Sequence, residues 1–317
     1  MPAPPVEYAE LHCLSHFTFL RGASAPDELV TRAAGLGYAA LAITDECSLA
    51  GAARAHLAWR NLPEPRMKLI IGCELQLADG PKLVLLACDR DGYGNLSELI
   101  TLGRMRAEKG RYHLSCADLD DGLPGCVALL VPGDPLPDTD AALAAHAVWL
   151  KQRFAERAWL AVELHHGPDD AARLYRLQAI SAASGLPLCA AGDVHMHVRK
   201  RRRLQDTMTA IRLGRTLADC GYALYANGER HLRLPHKLAG LYPATLRAET
   251  LKVAACCHFS LDELRYEYPE EIAPPGHTTT SWLRELTERG YVERCAQIRR
   301  IVTLDDATFA RKAREMR

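Results

Sequence analysis

Leu188–His197 reads LCAAGDVHMH, a short apolar run that ends in a small residue and then offers Asp193-x-His195. Aspartate and histidine two residues apart after a strand leave on the same side of its carboxyl end. Barrels of alternating strands and helices build their sites there, and oxygen and imidazole donors so placed suit a divalent metal. A surface turn with a capping aspartate would look the same, so the decision rests on how the other strands end. They end alike: His12, Asp45 with Glu46, Glu74, and His165 with His166 each follow an apolar run. That repetition predicts a metal-type site.

The elements that must hold these residues can be read from the spacing. Tyr8–Cys13 is the first expected strand. Ser24 is expected to cap a helix reaching about Leu36, with Pro26 in its first turn and Asp27 and Glu28 at its positive end. Strands follow at Ala39–Thr44, Leu69–Gly72, Leu83–Cys88, Cys126–Val131, Trp159–Leu164 and Leu188–Ala191. Helices are expected at Ala50–Arg60, Leu96–Arg106, 139–157, 169–184 and Leu204–Leu213. Buried strands alternating with helices predict an α/β protein with a parallel sheet or barrel.

Composition narrows the class. The chain has 317 residues, 48% hydrophobic and 25% charged, with 39 basic and 39 acidic side chains. The charges balance, so any nucleic-acid contact must come from a local patch. Arg199–Arg203 (RKRRR) is the one dense basic run; it reads either as a phosphate contact or as the solvated first turn of a helix. No apolar run has membrane-spanning length and the proline-rich start lacks the pattern of a secretory signal, so no membrane partner is expected. The eleven cysteines include no C-x-x-C pair, and Cys73, Cys88 and Cys189 sit in or beside apolar strands. Buried free thiols of this kind point to a reducing cytoplasm. Thr303–Phe309 (TLDDATF) reads as the start of a terminal helix rather than as catalytic carboxylates, and His231, His236 and His258 lack partners at ligand spacing.

Several long stretches resemble one family. YAELHCLSHFTFLRGAS, ALAITDECSLAG, KLIIGCE, LVLLACDRDGYGNL and CAAGDVHMHVRKRRRLQDTMTAI are similar to the polymerase-and-histidinol-phosphatase (PHP) domain that opens bacterial DNA polymerase III alpha subunits, in the variant used for damage-induced mutagenesis. FSLDELRYEYPEEIAPPGHTTTSWLRELTERG resembles the segment leading from that domain toward the polymerase palm. The resemblance implies a distorted seven-stranded (βα) barrel over 6–268. Residues 269–317 would be a linker and the start of a truncated polymerase region, unfamiliar from about 291, with no palm. It also implies up to three metal ions and, in some members, phosphoesterase or exonuclease activity.

Carried over position by position, the family's ligands survive only in part. His12, Glu74, Asp193 and His195 are kept; Asp45, Glu46 and Asp134 are further candidates. The second histidine of the opening motif is Leu14, which offers no donor. Arg21 and Lys82 stand where the family places an acidic or histidine group and a ligand, and a cation there repels a metal. The expectation is a degenerate site that holds at most one weak divalent ion and requires no cofactor. Arg21 is expected to face Glu46, and Lys82 to approach Glu74 or Asp193, as an internal salt-bridge network in the metals' place. The implied function is that of a structural module within an error-prone, translesion DNA polymerase. That parent would use Mg²⁺ and contact DNA and other mutagenesis or replication proteins. The alternative is a stand-alone metal-dependent phosphoesterase or exonuclease.

Overall fold

The computed structural model describes residues 7–64, 66–133, 136, 140–265, 273–301 and 305–316. The chain divides into two compact units, 1–264 and 265–317.

Seven strands lie in sequence order in one sheet: β1 (Ala9–Glu10), β2 (Ala40–Ile43), β3 (Lys68–Gln76), β4 (Lys82–Ala87), β5 (Cys126–Val131), β6 (Ala158–Glu163) and β7 (Leu188–Ala191). Between them run α1 (Pro26–Gly35), α2 (Ala52–Arg60), α3 (Arg90–Met105), α4 (Asp140–Phe154) and α5 (Asp170–Ser184). After β7 come α6 (Arg202–Leu213), α7 (Leu217–Cys220), α8 (Pro235–Leu241) and α9 (Ala244–Cys256). A parallel bridge between Cys13 and Val194 brings the two edges together, with Leu14 N donating to Val194 O at 2.8 Å and Val194 N to His12 O at 2.9 Å. The sheet is thus a nearly closed barrel. Its strands are buried on both faces, which is why they read as continuous apolar runs.

One strand departs from the parallel pattern. β4 is antiparallel to both β3 and β5. Only five residues, Leu77–Pro81, separate β3 from β4. A parallel crossover needs a dozen or more, so a reversal is the connection available. The same pairing extends β3 past its expected end, which places Glu74 inside the strand rather than after it.

Other boundaries moved for local reasons. Ser24 is not the cap of α1; Ala25 holds that position, and Glu28 reaches back to accept from Ala25 N at 2.9 Å. The Ser24 hydroxyl instead accepts from His197 N at 2.9 Å and meets its Nδ1 at 2.8 Å, tying the first loop to the segment after β7. α3 begins earlier than expected because Asp89 caps it, accepting from Gly92 N at 2.8 Å. The basic run forms a single 3₁₀ turn, Arg199–Arg201, leading into α6. Three of its guanidinium groups have acidic neighbours: Arg199 with Glu229, Arg201 with Glu28, Arg202 with Asp206.

The second unit contains α10 (Thr279–Ile301) and α11 (Asp306–Met316). Asp305 caps α11, accepting from Thr308 N at 2.9 Å. Thr303 lies outside the described residues, as does Asp134.

Candidate metal centre

The segment just after β1 supplies the central side chain, His12, and the last residue of β1, Glu10, the clasp that holds it. Glu10, buried, accepts from His12 N at 3.1 Å, from Gly192 N at 2.9 Å and from the Tyr8 hydroxyl at 3.0 Å. Burial raises its carboxyl above the ordinary range, and these donors offset part of that rise. The clasp fixes the end of β1 against the turn after β7. A Cβ on Gly192 would meet Glu10 Oε2 at 2.3 Å, so only glycine fits the turn. Asp193 follows with φ 42°, a left-handed backbone that aspartate tolerates better than most residues.

His12 lies between two carboxylates. Its Nδ1 is 2.7 Å from Glu163 Oε1 and its Nε2 is 2.9 Å from Glu74 Oε2. Burial by itself would lower its pKa, but the hydrogen bonds and charges of Glu163 and Glu74 carry it up to about 9. The imidazole is therefore a cation near neutral pH and donates from both nitrogens. Glu74 is the hub. Burial would raise its carboxyl, yet His12, Arg21 and Lys82 together hold it well below the usual carboxylate range. Arg21 Nη1 is 2.6 Å from Glu74 Oε1 and 2.6 Å from Glu46 Oε2; Lys82 Nζ is 3.5 Å from Glu74 Oε2. The expected network is present, with one difference. Arg21 reaches Glu74 with both of its terminal nitrogens and Glu46 with one.

Asp193 is held by Arg230 on one oxygen, while the other lies 2.9 Å from His195 Nε2 and 3.8 Å from His12 Nε2. Gln205 Nε2 donates to His195 Nδ1 at 2.7 Å, so His195 carries its proton on Nε2 and donates it to Asp193. Burial and the nearby Arg21 keep His195 neutral, its pKa well below the usual value. The Arg230 guanidinium stacks 4.1 Å above the Tyr225 ring, and its backbone carbonyl accepts from His195 N at 3.0 Å.

The structure sorts the sequence candidates clearly. His12, Glu74 and Asp193 each present a ligand atom, all within 4.8 Å of one another. His195 stands one hydrogen bond behind Asp193. Glu46 is engaged by Arg21 and by the Tyr112 hydroxyl at 3.2 Å. Asp45 points away from the cluster and into the first loop. It accepts from Ser15 N, Ser15 Oγ and Thr18 Oγ1, each at 2.7 Å, and so shapes the loop that carries Arg21. His165 donates from Nε2 to Gly192 O at 3.0 Å, and burial with Arg230 nearby depresses its pKa to about 2. His166 is exposed and joins none of these contacts.

Three participants escaped the sequence reading. Glu163 is the last residue of β6 and the last but one of the apolar run WLAVEL, where it looked like part of a buried strand; an acid near the end of such a run was the available signal. Glu10 sat in a two-residue strand beside His12. Arg230 lies in a segment with no periodic pattern and gave no signal. Beside Glu163, a cavity of 450 Å³ opens, lined also by His165, Arg173, Tyr225, Asn227 and Arg230.

One imidazole and two carboxylates are the donor set that a single divalent ion accepts. An ion at that point would have to displace the Nε2 proton of His12, while Glu163 on Nδ1 would orient the ring as outer carboxylates do for metal-bound histidines. A second ion does not fit beside it. Arg21 Nη1 already occupies the space between Glu46 and Glu74. Four carboxylates (Glu46, Glu74, Glu163, Asp193) face four positive groups (Arg21, Lys82, Arg230 and protonated His12), so the cluster balances its own charge.

Residues 10–165 match the PHP domain family profile. The chain carries a PHP domain. Among curated proteins, the chain is 57% identical over 91% of its length to an error-prone DNA polymerase of Dechloromonas aromatica, covering 28% of that protein. It is 58% identical over 89% of its length to one from Aromatoleum aromaticum, covering 26%, and 53% over 90% to one from Pseudomonas aeruginosa, covering 27%. The chain thus spans 26–28% of the length of these relatives. Among solved structures it is similar to a putative metal-dependent phosphoesterase from Bifidobacterium adolescentis, at 18% identity over 61% of this chain and 89% of that one, with TM-score 0.45. No helix among the described residues is long and apolar enough to cross a membrane.

Proposed function

We propose that this chain is the PHP module (6–268) of an error-prone DNA polymerase of the alpha-subunit type, with 269–317 leading toward the polymerizing region. The whole protein would perform translesion synthesis in the cytoplasm, transferring nucleotides from deoxynucleoside triphosphates with Mg²⁺. It would contact DNA, and other mutagenesis or replication proteins, through parts beyond this chain. The observation that carries the reading is the 57% identity over 91% of the chain to a protein of that name. Within the module, His12, Glu74 and Asp193, backed by His195, form a residual site that holds at most one weakly bound divalent ion and performs no hydrolysis. The support is chemical: hydrolysis by paired metals needs donors free to bridge two ions, and here Arg21 takes that place.

Two assays test the reading. A polypeptide that continues past Arg317 should extend a primer with Mg²⁺, while the 317-residue chain should not; extension by the shorter chain would refute the assignment. Hydrolysis of a phosphomonoester and of labelled single-stranded DNA should stay at background with Mn²⁺ or Zn²⁺. Turnover that disappears in Asp193→Ala would show a working phosphoesterase instead.

A further inference from the structure

At the end of the barrel opposite the site, the reversal of β4 sets Cys88 beside the start of β5, where its N–H donates to Gly125 O at 2.8 Å. The last turn of α9 arrives at the same place. His258 N and Phe259 N both donate to Cys88 O, at 2.6 and 3.0 Å, and Cys88 packs on the buried cluster that contains Cys257. A 2.6 Å contact between the amide after Cys257 and the carbonyl of Cys88 keeps their Cα atoms within about 7 Å, the span a disulfide can bridge. The Cys257 thiol donates to Val253 O at 3.5 Å in the last turn of α9; the neighbouring Cys257 side chain lowers the pKa of Cys88, while Cys88 and burial raise that of Cys257. The Arg157 guanidinium nearby adds to the stabilisation of a Cys88 thiolate. Cys88 is half-buried, Cys257 is buried, and the adjacent Cys256 is exposed. A reachable sulfur that favours the thiolate, with a second thiol on the adjoining backbone held to it by the His258 N–Cys88 O hydrogen bond, is the arrangement in which oxidation leads to a bond.

We propose that Cys88 and Cys257 are a site of reversible oxidative modification, closed into a disulfide by hydrogen peroxide. The Cys88 thiolate attacks one peroxide oxygen; the O–O bond breaks, and Cys88 becomes a sulfenic acid as the leaving oxygen takes up a proton to form water. The Cys257 sulfur then attacks the Cys88 sulfur. The S–O bond breaks and hydroxide leaves with the Cys257 proton as a second water. Two thiols lose two electrons and the peroxide is reduced to two waters. The bond ties the end of β4 to the end of α9, and fixes the segment 258–264 through which the chain leaves the barrel unit.

The test treats the whole 317-residue chain with hydrogen peroxide, blocks free thiols by alkylation, and maps peptides without reduction. The expected result is a peptide linking Cys88 to Cys257, two fewer alkylated thiols, and full reversal by dithiothreitol. Cys256→Ser should leave the link intact. Cys257→Ser should abolish it and leave Cys88 as a sulfenic acid that a dimedone probe captures. A link from Cys88 to Cys256 or Cys126, or oxidation confined to exposed Cys256 while Cys88 stays reduced, would overturn the proposal.

Discussion

Arg21→Leu removes the one side chain among the described residues that pairs with both Glu46 and Glu74, and the two acids should respond differently. Glu46 is about one-third exposed and keeps the Tyr112 hydroxyl and water. Glu74 is 2% exposed and keeps only His12 and Lys82. The loss therefore falls on Glu74, whose charge stays buried with its strongest partner gone. Breaking a buried pair costs about 3–5 kcal/mol; because His12 remains, the lower end, about 3 kcal/mol, is expected. In a unit of this size that corresponds to a fall in Tm of roughly 6–12 °C. Thermal unfolding by circular dichroism reads it directly. The second substitution carries the sharper test. Arg21→Leu with Glu74→Gln should recover about 1 kcal/mol or more of the loss, and Arg21→Leu with Glu46→Leu clearly less, because Glu46 is already solvated. A Tm within about 2 °C of the parent for Arg21→Leu, or losses that simply add in the Glu74 double variant, would refute the argument that the network replaces metal charge.

With metal removed by chelation, the His12 imidazolium should make stability depend on pH. Its pKa is raised from 6.5 to about 9, so its contribution is complete below pH 6.5 and is lost as pH rises through about 9. The urea midpoint should fall across that window, and His12→Gln should flatten the profile. Glu74 and Glu163 are depressed and act with the opposite sign, contributing above the ordinary glutamate range and losing that contribution in acid. Gly192→Ala should cost about 2–3 kcal/mol, since the added methyl meets Glu10, which cannot move without dropping its three donors; an unchanged Tm would count against the clasp. Elemental analysis after exposure to Zn²⁺ should find no more than one ion per chain, and chelation should move Tm by roughly 4 °C or less. Two or three ions would contradict the reading of Arg21 as a metal substitute.

The parts of the fold visible in the sequence were those governed by local patterning. β5 and β7 lie where their apolar runs stand, and five connecting helices follow the expected alternation. The antiparallel β4 was legible in principle from the short link at Leu77–Pro81. The site divides along the same line. Arg21, Glu46, Glu74 and Lys82 could be brought together because motif positions carried them. Glu163 was hidden by its apolar neighbours, and Arg230 by a segment whose course is set by backbone pairing with His195 and Met196 rather than by any local preference. Ser24 shows how capping chemistry can mislead: its hydroxyl had a more distant partner in His197, so the cap fell one residue later.

The barrel closes through very little backbone. β1 has two paired residues, and the edge-to-edge contact is a single bridge at Cys13 and Val194 reinforced by the Glu10 carboxylate. Elsewhere the ladders hold three residue pairs (β5–β6), four (β2–β3 and β6–β7), five (β3–β4) and six (β4–β5). Closure is thus a side-chain latch on a sheet that would otherwise be an open curl, and the latch sits on the very residues that flank the acidic cluster. Local opening should begin at this seam, so the amides of Val194 and Leu14 should exchange with solvent well before those of Val84 and Leu129 at the barrel's far wall. His12 and Asp193, which could answer to a metal, thus stand directly beside the residues that close the domain, and a change that frees them for chemistry would loosen the wall they stand in.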